Sequence, residues 1–451
     1  MFKVQGSRFW DGSIKSWSAL HFEPSTLNRH RLPLTLSILL LLGTQLTFAQ
    51  APPDSAKATA VEETSISSEI TTPPIERKVK KLKIQGYQKG MVILSNPNDL
   101  DMALLDFNLH NRTFFRYYPV KGLKIRADLR TRAFMGETQK NYNSLIGPLV
   151  PSLPDTYGEL IEQQSEGYWD LSWTLMDKNG MVLHTTLDRL YAEYTTDKIE
   201  VAAGRQRINW GVNTVWNPND IFNVYNYTDF DYEERPGSDA FRFKYFAGLS
   251  TAAEVAVKAA DDMEDAVFAG KVDLNKWNYD FQVIGGWMEG DYVAGAGWAG
   301  NIKTSGFKGE VSYFFNPDSA REALVASLTF DHALKNSLYL MFSVLYNQNG
   351  SDDGNLATLF VSTLSAKNLY PFKTAIFANA TYPVSPLFNV NLATIYTPNE
   401  LHPLFVSPIL TYSLATDWDL DFVSQLVWQK NAAGSYQSPG QFFFLRLKFS
   451  Y

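Results

Sequence analysis

Hydrophobic and polar residues alternate along most of this chain, and residues 440–451 show the pattern most clearly. One set of alternate positions there is apolar, and it consists of Phe443, Leu445, Leu447, Phe449 and Tyr451. The intervening set includes Arg446, Lys448 and Ser450. Because neighbouring side chains of a β-strand point to opposite faces, this segment predicts a strand with one apolar and one polar face. The bilayer-facing wall of a transmembrane β-barrel has this character.

The same period of two, bounded by turn residues, predicts eighteen strands after residue 81. They cover residues 83–94, 106–118, 122–135, 181–195, 199–209, 239–248, 250–260, 265–275, 278–289, 292–304, 306–315, 322–333, 337–347, 370–381, 387–397, 403–415, 418–430 and 440–451. An even number of strands fits an antiparallel up-and-down barrel, and sixteen strands is the alternative.

The predicted connections alternate between short and long. Residues 119–122 and 416–417 are tight turns, whereas residues 137–180, 210–238 and 348–369 are long loops. Outer-membrane barrels have short periplasmic turns and longer extracellular loops. The sequence therefore predicts an all-β transmembrane barrel with both termini in the periplasm.

Basic residues occupy one side of the second to sixth predicted strands. Because an Arg or Lys at the bilayer midplane costs about 2–4 kcal/mol, the charged side should face the lumen. The predicted basic wall comprises Arg112, Arg116, Lys124, Arg126, Arg130, Arg132, Arg189, Arg205, Arg207, Arg242 and Lys244. We expect this wall to raise the local concentration of anions.

Acidic residues take the corresponding positions in later strands: Asp280, Asp331, Asp419 and Asp421. We expect them to form an acidic wall across the lumen, with solute passing between the two walls. The alternative is that these charges pair with one another and only solvate a polar interior.

The remaining composition fits an envelope protein. The 451 residues include no Cys, so disulfides and thiolate metal sites are excluded. Residues 34–49 form an apolar run after Arg29 and Arg31, and residues 1–49 are interpreted as an extension and signal peptide. Residues 50–80, rich in Pro, Ser, Thr and Glu, predict a disordered periplasmic lead-in, and residues 81–451 predict the barrel.

Two motifs cover the end of the fifth predicted strand and the connection after it: Gly204-Arg-Gln-Arg-Ile-Asn-Trp-Gly211 and Trp216-Asn-Pro-Asn-Asp-Ile-Phe-Asn223. Pro218 restricts φ, and Asn219 and Asp220 can bond back to the backbone, so a tight loop is predicted. Its residues Trp210, Trp216, Asn217, Pro218, Asn219 and Asp220 either bind solute or only lock the loop against the barrel wall.

These motifs, with residues 110–112, 130–132 and 187–191, resemble porin-like outer-membrane barrels of Gram-negative bacteria. The similar group is an uncharacterised type, distantly similar to alginate-export and other large porins. The resemblance covers residues 80–451 and implies a passive or selective channel without catalytic residues.

Enzyme signatures find little support. Gly295-Ala-Gly-Trp-Ala-Gly300 matches G-x-G-x-x-G, but the next segment predicts another strand, where a dinucleotide site needs a helix. A barrel hydrolase with a Ser and His pair in the wall stays an alternative. Nucleic-acid binding is not expected, because the basic residues face inward and the net charge is -7.

We therefore expect a monomeric or trimeric outer-membrane channel for small hydrophilic solutes, with anions as the candidate class, and with no cofactor and no metal. Its expected partners are outer-membrane lipid, lipopolysaccharide and the barrel-assembly machinery, which would read Phe449 and Tyr451. The alternatives are a structural or adhesive barrel plugged by residues 137–180 and 210–238, and uptake of a specific polymer or hydrophobic compound.

Overall fold

The computed structural model describes residues 81–96, 103–145, 154–165, 167–224, 231, 237–248, 250–318, 321–352, 364–431 and 433–451. The predicted signal peptide and lead-in, residues 1–80, lie outside the described residues.

Long strands with short helices between two of them make up the described chain. The strands are β1 (Leu82–Ser95), β2 (Leu104–Tyr117), β3 (Leu123–Gly136), β4 (Ser172–Lys178), β5 (Met181–Thr195), β6 (Ile199–Gln206), β7 (Ser238–Phe246), β8 (Ala252–Lys258), β9 (Val267–Lys276), β10 (Tyr279–Met288), β11 (Asp291–Ile302), β12 (Ser305–Asn316), β13 (Arg321–Ala333), β14 (Tyr339–Asn347), β15 (Thr374–Ser385), β16 (Phe388–Tyr396), β17 (Leu404–Ala415), β18 (Trp418–Lys430) and β19 (Tyr436–Ser450). The helices are α1 (Glu137–Lys140), α2 (Tyr142–Leu145) and α3 (Tyr157–Gln163).

Antiparallel pairing of consecutive strands closes the sheet into a ring. The last strand returns to the first, and the β1–β19 ladder runs from Tyr87 opposite Ser450 to Ser95 opposite Phe442. The ring contains 18 strands, because β3 pairs directly with β5 and β4 stands outside the ring order. The predicted closed antiparallel barrel is confirmed, and the sixteen-strand alternative is wrong.

Strand β4 was not predicted. It pairs only with residues 181–186 of β5, whereas β6 pairs with residues 190–195 of the same strand. It therefore extends the wall beside β5 beyond the point where β6 ends. Other predicted boundaries differ by up to four residues: β6 ends at Gln206 instead of residue 209, β15 covers Thr374–Ser385 instead of 370–381, and β19 begins at Tyr436 instead of residue 440.

The seam between the two ends of the barrel depends on a glycine. Gly86 and Tyr451 exchange two backbone hydrogen bonds of 2.9 Å, and the Tyr451 hydroxyl lies 2.9 Å from Thr113 Oγ1. A Cβ atom on Gly86 would lie 2.6 Å from that hydroxyl and 2.3 Å from the Arg112 carbonyl oxygen. The aromatic ring of Tyr451 can therefore lie over β1 only because residue 86 has no side chain.

The two faces of the sheet have opposite character, as the alternation predicts. Large apolar side chains are exposed on the outer face, including Phe107, Leu109, Phe241, Leu445 and Tyr451. The alternate positions point inward and bury polar and charged groups. A closed wall with an apolar exterior is what a bilayer requires, because ladders between neighbouring strands pair the backbone around the whole ring and leave no open edge.

A β-bulge interrupts this alternation in β5. Asp128 of β3 stands opposite Arg189 and Leu129 stands opposite Leu187, so Asp188 is an additional residue in the ladder. Asp188 and Arg189 are consequently both buried on the inner face. Strict alternation would have placed one of them in lipid.

The described parts of two connections fold into the barrel. We call residues 137–171, between β3 and β4, the first inner loop, and residues 207–237, between β6 and β7, the second inner loop. Their apolar side chains form two separate buried clusters with opposite parts of the inner wall. No helix in the part of the chain that the structure describes has the length and apolar character needed to cross a membrane.

Candidate functional site

The second inner loop is fixed to the inner wall by one carboxyl group. Glu310 points inward from β12 and is buried. Its Oε1 accepts the backbone N–H groups of Val212 (2.6 Å) and Asn213 (2.5 Å), and its Oε2 accepts that of Asn219 (2.9 Å). A single side chain thus satisfies three buried backbone donors, which a loop inside a barrel would otherwise leave unpaired.

Further side chains from neighbouring strands bind the same loop. Glu254 of β8 accepts the Trp210 indole N–H at 2.8 Å, and Gln282 of β10 donates to the Trp210 carbonyl oxygen at 2.7 Å. The Ser312 hydroxyl of β12 donates to Pro218 and Asn219, and that of Ser327 in β13 donates to the Trp216 carbonyl oxygen at 2.8 Å. Residues 208–222 therefore lie against the inner face from β8 to β13.

Aromatic packing extends this contact to β15. The Trp216 ring lies 6.3 Å from Tyr370 and 6.2 Å from Phe377, measured between ring centroids. Burial raises the pKa of Tyr370 to about 12, so this phenol stays neutral. Trp210 contacts Phe222 edge to face at 4.9 Å. The loop motif is thus a packed element that narrows the lumen.

The individual motif residues divide into two groups. Asn219 and Asp220 bond to the protein, since Asn219 Nδ2 donates to Ala296 and Asp220 accepts the Trp210 backbone N–H. Asn217 is 3% exposed, and its side-chain amide has no hydrogen-bond partner among the described residues. The hydrogen bonds of Asn219 and Asp220 therefore hold the loop in place. A role of the motif residues in binding solute stays a prediction.

The second inner loop also reaches a different part of the wall through Asp231. Lys89 of β1 donates to the Asp231 carbonyl oxygen (2.8 Å) and to its carboxylate (2.7 Å), and Arg446 of β19 donates to the same carboxylate at 3.1 Å. His110 of β2 lies 3.6 Å away. Burial opposes ionisation, but Lys89, His110 and Arg446 together outweigh it and hold the pKa of Asp231 well below its usual range.

The first inner loop covers the wall near β1, β3, β18 and β19. Helix α3 begins with a capping box, in which Thr156 Oγ1 accepts the Glu159 N–H and the Glu159 carboxylate accepts the Thr156 N–H. Tyr157, Leu160 and Ile161 are buried in one apolar cluster with inward residues of these strands. Both loops predicted as possible plugs thus occupy part of the lumen.

The basic residues of β2 and β3 point inward and lie beside acids. Arg112 and Arg130 are buried and approach Asp188 at 3.1 and 3.2 Å. Arg126 binds Asp128 at 2.6 Å. The bulge at Asp188 is what brings this carboxylate to two arginines, so the acid partner could not be read from alternation.

In several ion pairs the cation is more exposed than the acid, whereas in others, such as Lys89 with Asp231, the acid is the more exposed partner. The side-chain exposure is 26% for Lys124 against 15% for Glu193, and 18% for Arg126 against 0% for Asp128. For Lys244 and Glu254 the values are 25% and 4%. At these three pairs the cation is therefore the more accessible charge.

The other predicted basic residues have varied partners. Arg116 donates to Gln85, Arg132 donates to Ser165 at 3.3 Å, and Arg242 binds Glu200. Arg205 binds Asp239 through two hydrogen bonds and donates to the Trp169 carbonyl oxygen. Arg189 donates to the Asp188 carbonyl oxygen, and Arg207 lies beyond the end of β6.

The four acids of the predicted acidic wall lie on three separate strands, β10, β13 and β18. Asp419 and Asp421 lie on β18, which only β19 and β1 separate from β2, so they are not across the lumen from the basic residues of β2. Asp421 binds Arg446 at 3.0 Å, and Asp331 lies 3.6 Å from Lys308. Asp280 is exposed beside a hairpin turn and accepts a hydrogen bond from Asn275. Acids and bases are mixed because close pairing offsets the cost of burying each charge.

Sequence reasoning missed the residues that hold the loops and neutralise the arginines: Lys89, Asp188, Glu193, Glu200, Asp231, Asp239, Glu254, Gln282 and Glu310. Glu254 and Glu310 could have been recognised in the sequence, because each is an acid at an inward position of a strand whose other residues are mostly apolar or small. Their partners in the second inner loop lie 44 to 98 residues away, so these contacts have no local signal.

Fold and loops together define a closed 18-strand antiparallel β-barrel with an apolar exterior and two loops inside its lumen. Solved structures with this fold include Acinetobacter baumannii OccAB4 (TM-score 0.52, 12% identity), the outer membrane protein opdK from Pseudomonas aeruginosa (0.51, 9%) and a BenF-like porin from Pseudomonas fluorescens Pf-5 (0.50, 8%). Each match covers 82% of this chain and 98% of the other chain.

These similarities show the fold, and the resemblance to porin-like barrels is confirmed at that level. No protein-family profile matches the chain. No curated protein sequence matches it either. The segment Gly295–Gly300 lies inside β11 and leads directly into β12, so the helix that a dinucleotide site requires does not follow it.

Proposed function

We propose that the protein is an outer-membrane channel for small hydrophilic solutes. The observation that carries this proposal is a closed barrel with a charged inner face, narrowed by a loop that side chains of β8 to β13 hold inside. A barrel that only anchors a surface adhesin does not need inward charges. Comparable barrels include one described as a porin.

The proposed solutes are anions, with modest selectivity. In the pairs of Lys124, Arg126 and Lys244 the cation is the more exposed partner. A positive lining in a confined, low-dielectric channel concentrates anions. Selectivity should be modest because the acids Asp128 and Glu193 lie within 2.6 Å of their partners and cancel much of the field at a distance.

Conductance of the purified protein in planar bilayers tests the channel. Discrete open events are expected, and the reversal potential in a salt gradient should show anion preference. Persistent silence with a correctly folded barrel would favour the plugged barrel instead, since both inner loops lie in the lumen.

The selectivity has its own test. Replacing Lys124 and Arg126 by Gln removes the two exposed cations and should shift the reversal potential toward cations. Lys198→Gln, in the turn between β5 and β6, is the matched control and should leave it unchanged. The shift should shrink at about 1 M salt, where screening acts over about 3 Å. An unchanged reversal potential in the double variant would contradict the assignment of these residues to the conducting path.

A further inference from the structure

A groove of about 480 Å³ runs along the outer face of the barrel at β13–β16. Its floor consists of the small side chains Ala378 and Ala380 of β15. On one side Phe342 and Leu340 of β14 stand directly opposite these alanines. On the other side Thr394 and Leu392 of β16 do the same. The groove exists because one strand is lined with alanine between two strands that carry large side chains.

The groove faces hydrocarbon. Leu340, Phe342 and Leu392 are 41%, 45% and 44% exposed, and Phe330 of β13, at its edge, is 40% exposed. These side chains belong to the apolar exterior that surrounds the barrel. An acyl chain of a lipid is therefore the material that fills this space.

One end of the groove is polar. Ser305 Oγ lies 3.0 Å from His332 Nδ1, and His332 stands opposite Leu340 in the ladder. Ser305 is the first residue of β12 and follows a turn directly. His332 is the penultimate residue of β13. This polar pair therefore lies at the rim of the barrel, at the depth where lipid headgroups lie.

Two exposed lysines flank the polar pair. Lys303 occupies the turn before β12 and Lys335 the turn after β13, and the Ser305–His332 contact brings these two turns side by side. Neither lysine has an ion pair among the described residues.

The contact of His332 with Ser305 uses Nδ1, and no carboxylate of the described residues contacts this histidine, so the pair lacks the orienting acid of a hydrolase.

We propose that this groove binds one anionic diacyl glycerophospholipid, with an acyl chain over Ala378 and Ala380 and the headgroup phosphate at Lys303, His332 and Lys335. The rim with the short turns is the periplasmic rim in barrels of this type, and phospholipid forms the leaflet there. The inference rests on insertion in the outer membrane. It does not depend on conduction of solutes, so a silent channel would leave it standing.

Selectivity must come from the headgroup. An acyl chain gains little by leaving bulk lipid for a groove, because lipid tails are as apolar as the protein surface. Each lysine near an anionic headgroup contributes about 1 kcal/mol. Two lysines thus correspond to a roughly 30-fold preference for an anionic over a zwitterionic headgroup, at about 1.4 kcal/mol per factor of ten.

Native mass spectrometry of the full chain in detergent, titrated with phosphatidylglycerol or phosphatidylethanolamine of identical acyl chains, tests the proposal. We expect one retained phosphatidylglycerol per barrel and a preference of roughly 30-fold over phosphatidylethanolamine. Replacing Lys303 and Lys335 by Ser should abolish the preference. Replacing Lys121 and Lys198, in two other turns of the same rim, by Ser is the matched control and should preserve it.

A second variant separates the groove from the charge. Ala378→Leu with Ala380→Leu fills the floor with side chains that suit the lipid-facing surface, and retention of both lipids should fall. Heat-modifiable migration on gels verifies that each variant is folded. Three results would each overturn the proposal. The unmodified protein could retain both lipids equally, or the Lys121 and Lys198 control variant could lose the preference for phosphatidylglycerol as well. A parallel titration with lipid A could also show stronger retention of lipid A than of phosphatidylglycerol.

Discussion

Replacement of Glu310 by Gln should release the second inner loop without unfolding the barrel. Gln has the same size but only one acceptor oxygen, so it cannot accept the N–H groups of Val212, Asn213 and Asn219 together. At least one buried donor then lacks a partner. That cost is about 1–3 kcal/mol, and Glu310→Ala, which removes all three acceptances, should cost about 3–9 kcal/mol.

These free energies translate into how often the loop opens. A cost of about 1–3 kcal/mol raises the open fraction roughly 5- to 150-fold. The loop should not leave permanently in the Gln variant, because Trp210, Trp216 and Phe222 are buried and each such side chain contributes about 1.5–3 kcal/mol. The barrel strands keep their ladders, so heat-modifiable migration should be unchanged.

Single-channel recording and limited proteolysis measure this opening. We expect more frequent conductance steps and faster cleavage within residues 207–224 in Glu310→Gln, and a larger effect in Glu310→Ala. Glu264→Gln, on an exposed loop between β8 and β9, is the matched control. If Glu310→Gln and Glu310→Ala both behaved like the control, the carboxyl group of Glu310 would not be what holds the loop.

Three further predictions concern assembly, orientation and pH. Deletion of residues 449–451 should prevent insertion, because the seam with β1 loses its last pairs, and a heat-modifiable barrel at normal abundance would refute this. Cys at Ser351 should react with an impermeant maleimide on whole cells and Cys at Thr416 should not; the opposite labelling would invert the barrel. The contact of Asp231 with Lys89 should persist from pH 7 down to about pH 4. The folded-state pKa of Asp231 is lowered, so the carboxylate stays ionised there, and its contribution to stability is lost only as the pH falls below the ordinary carboxyl pKa. Current noise that rises already at pH 5 in the unmodified protein, but not in Asp231→Asn, would contradict it.

The sequence by itself determined the barrel. The alternation of apolar and polar residues can be recognised from neighbouring residues alone. It identified all eighteen ring strands, because the outer face must be apolar to contact lipid whereas the inner face is polar. It also determined that Arg126 and Arg242 face inward, since charge on the outer face would be costly. The alternation at Phe443 to Tyr451 was sufficient to define the closing strand.

Tertiary structure decided how the lumen is filled. The bulge at Asp188 reverses the alternation at one residue, and nothing in a run of alternating residues marks where a ladder takes an additional residue. The sequence predicted separate basic and acidic walls, but burial of charge is tolerated only with a partner close by, so acids and bases intermix. The partners of Glu310 lie on a loop more than 90 residues away in sequence. Only closure of the ring brings that loop to β12, because contacts across a lumen depend on the three-dimensional path of the chain.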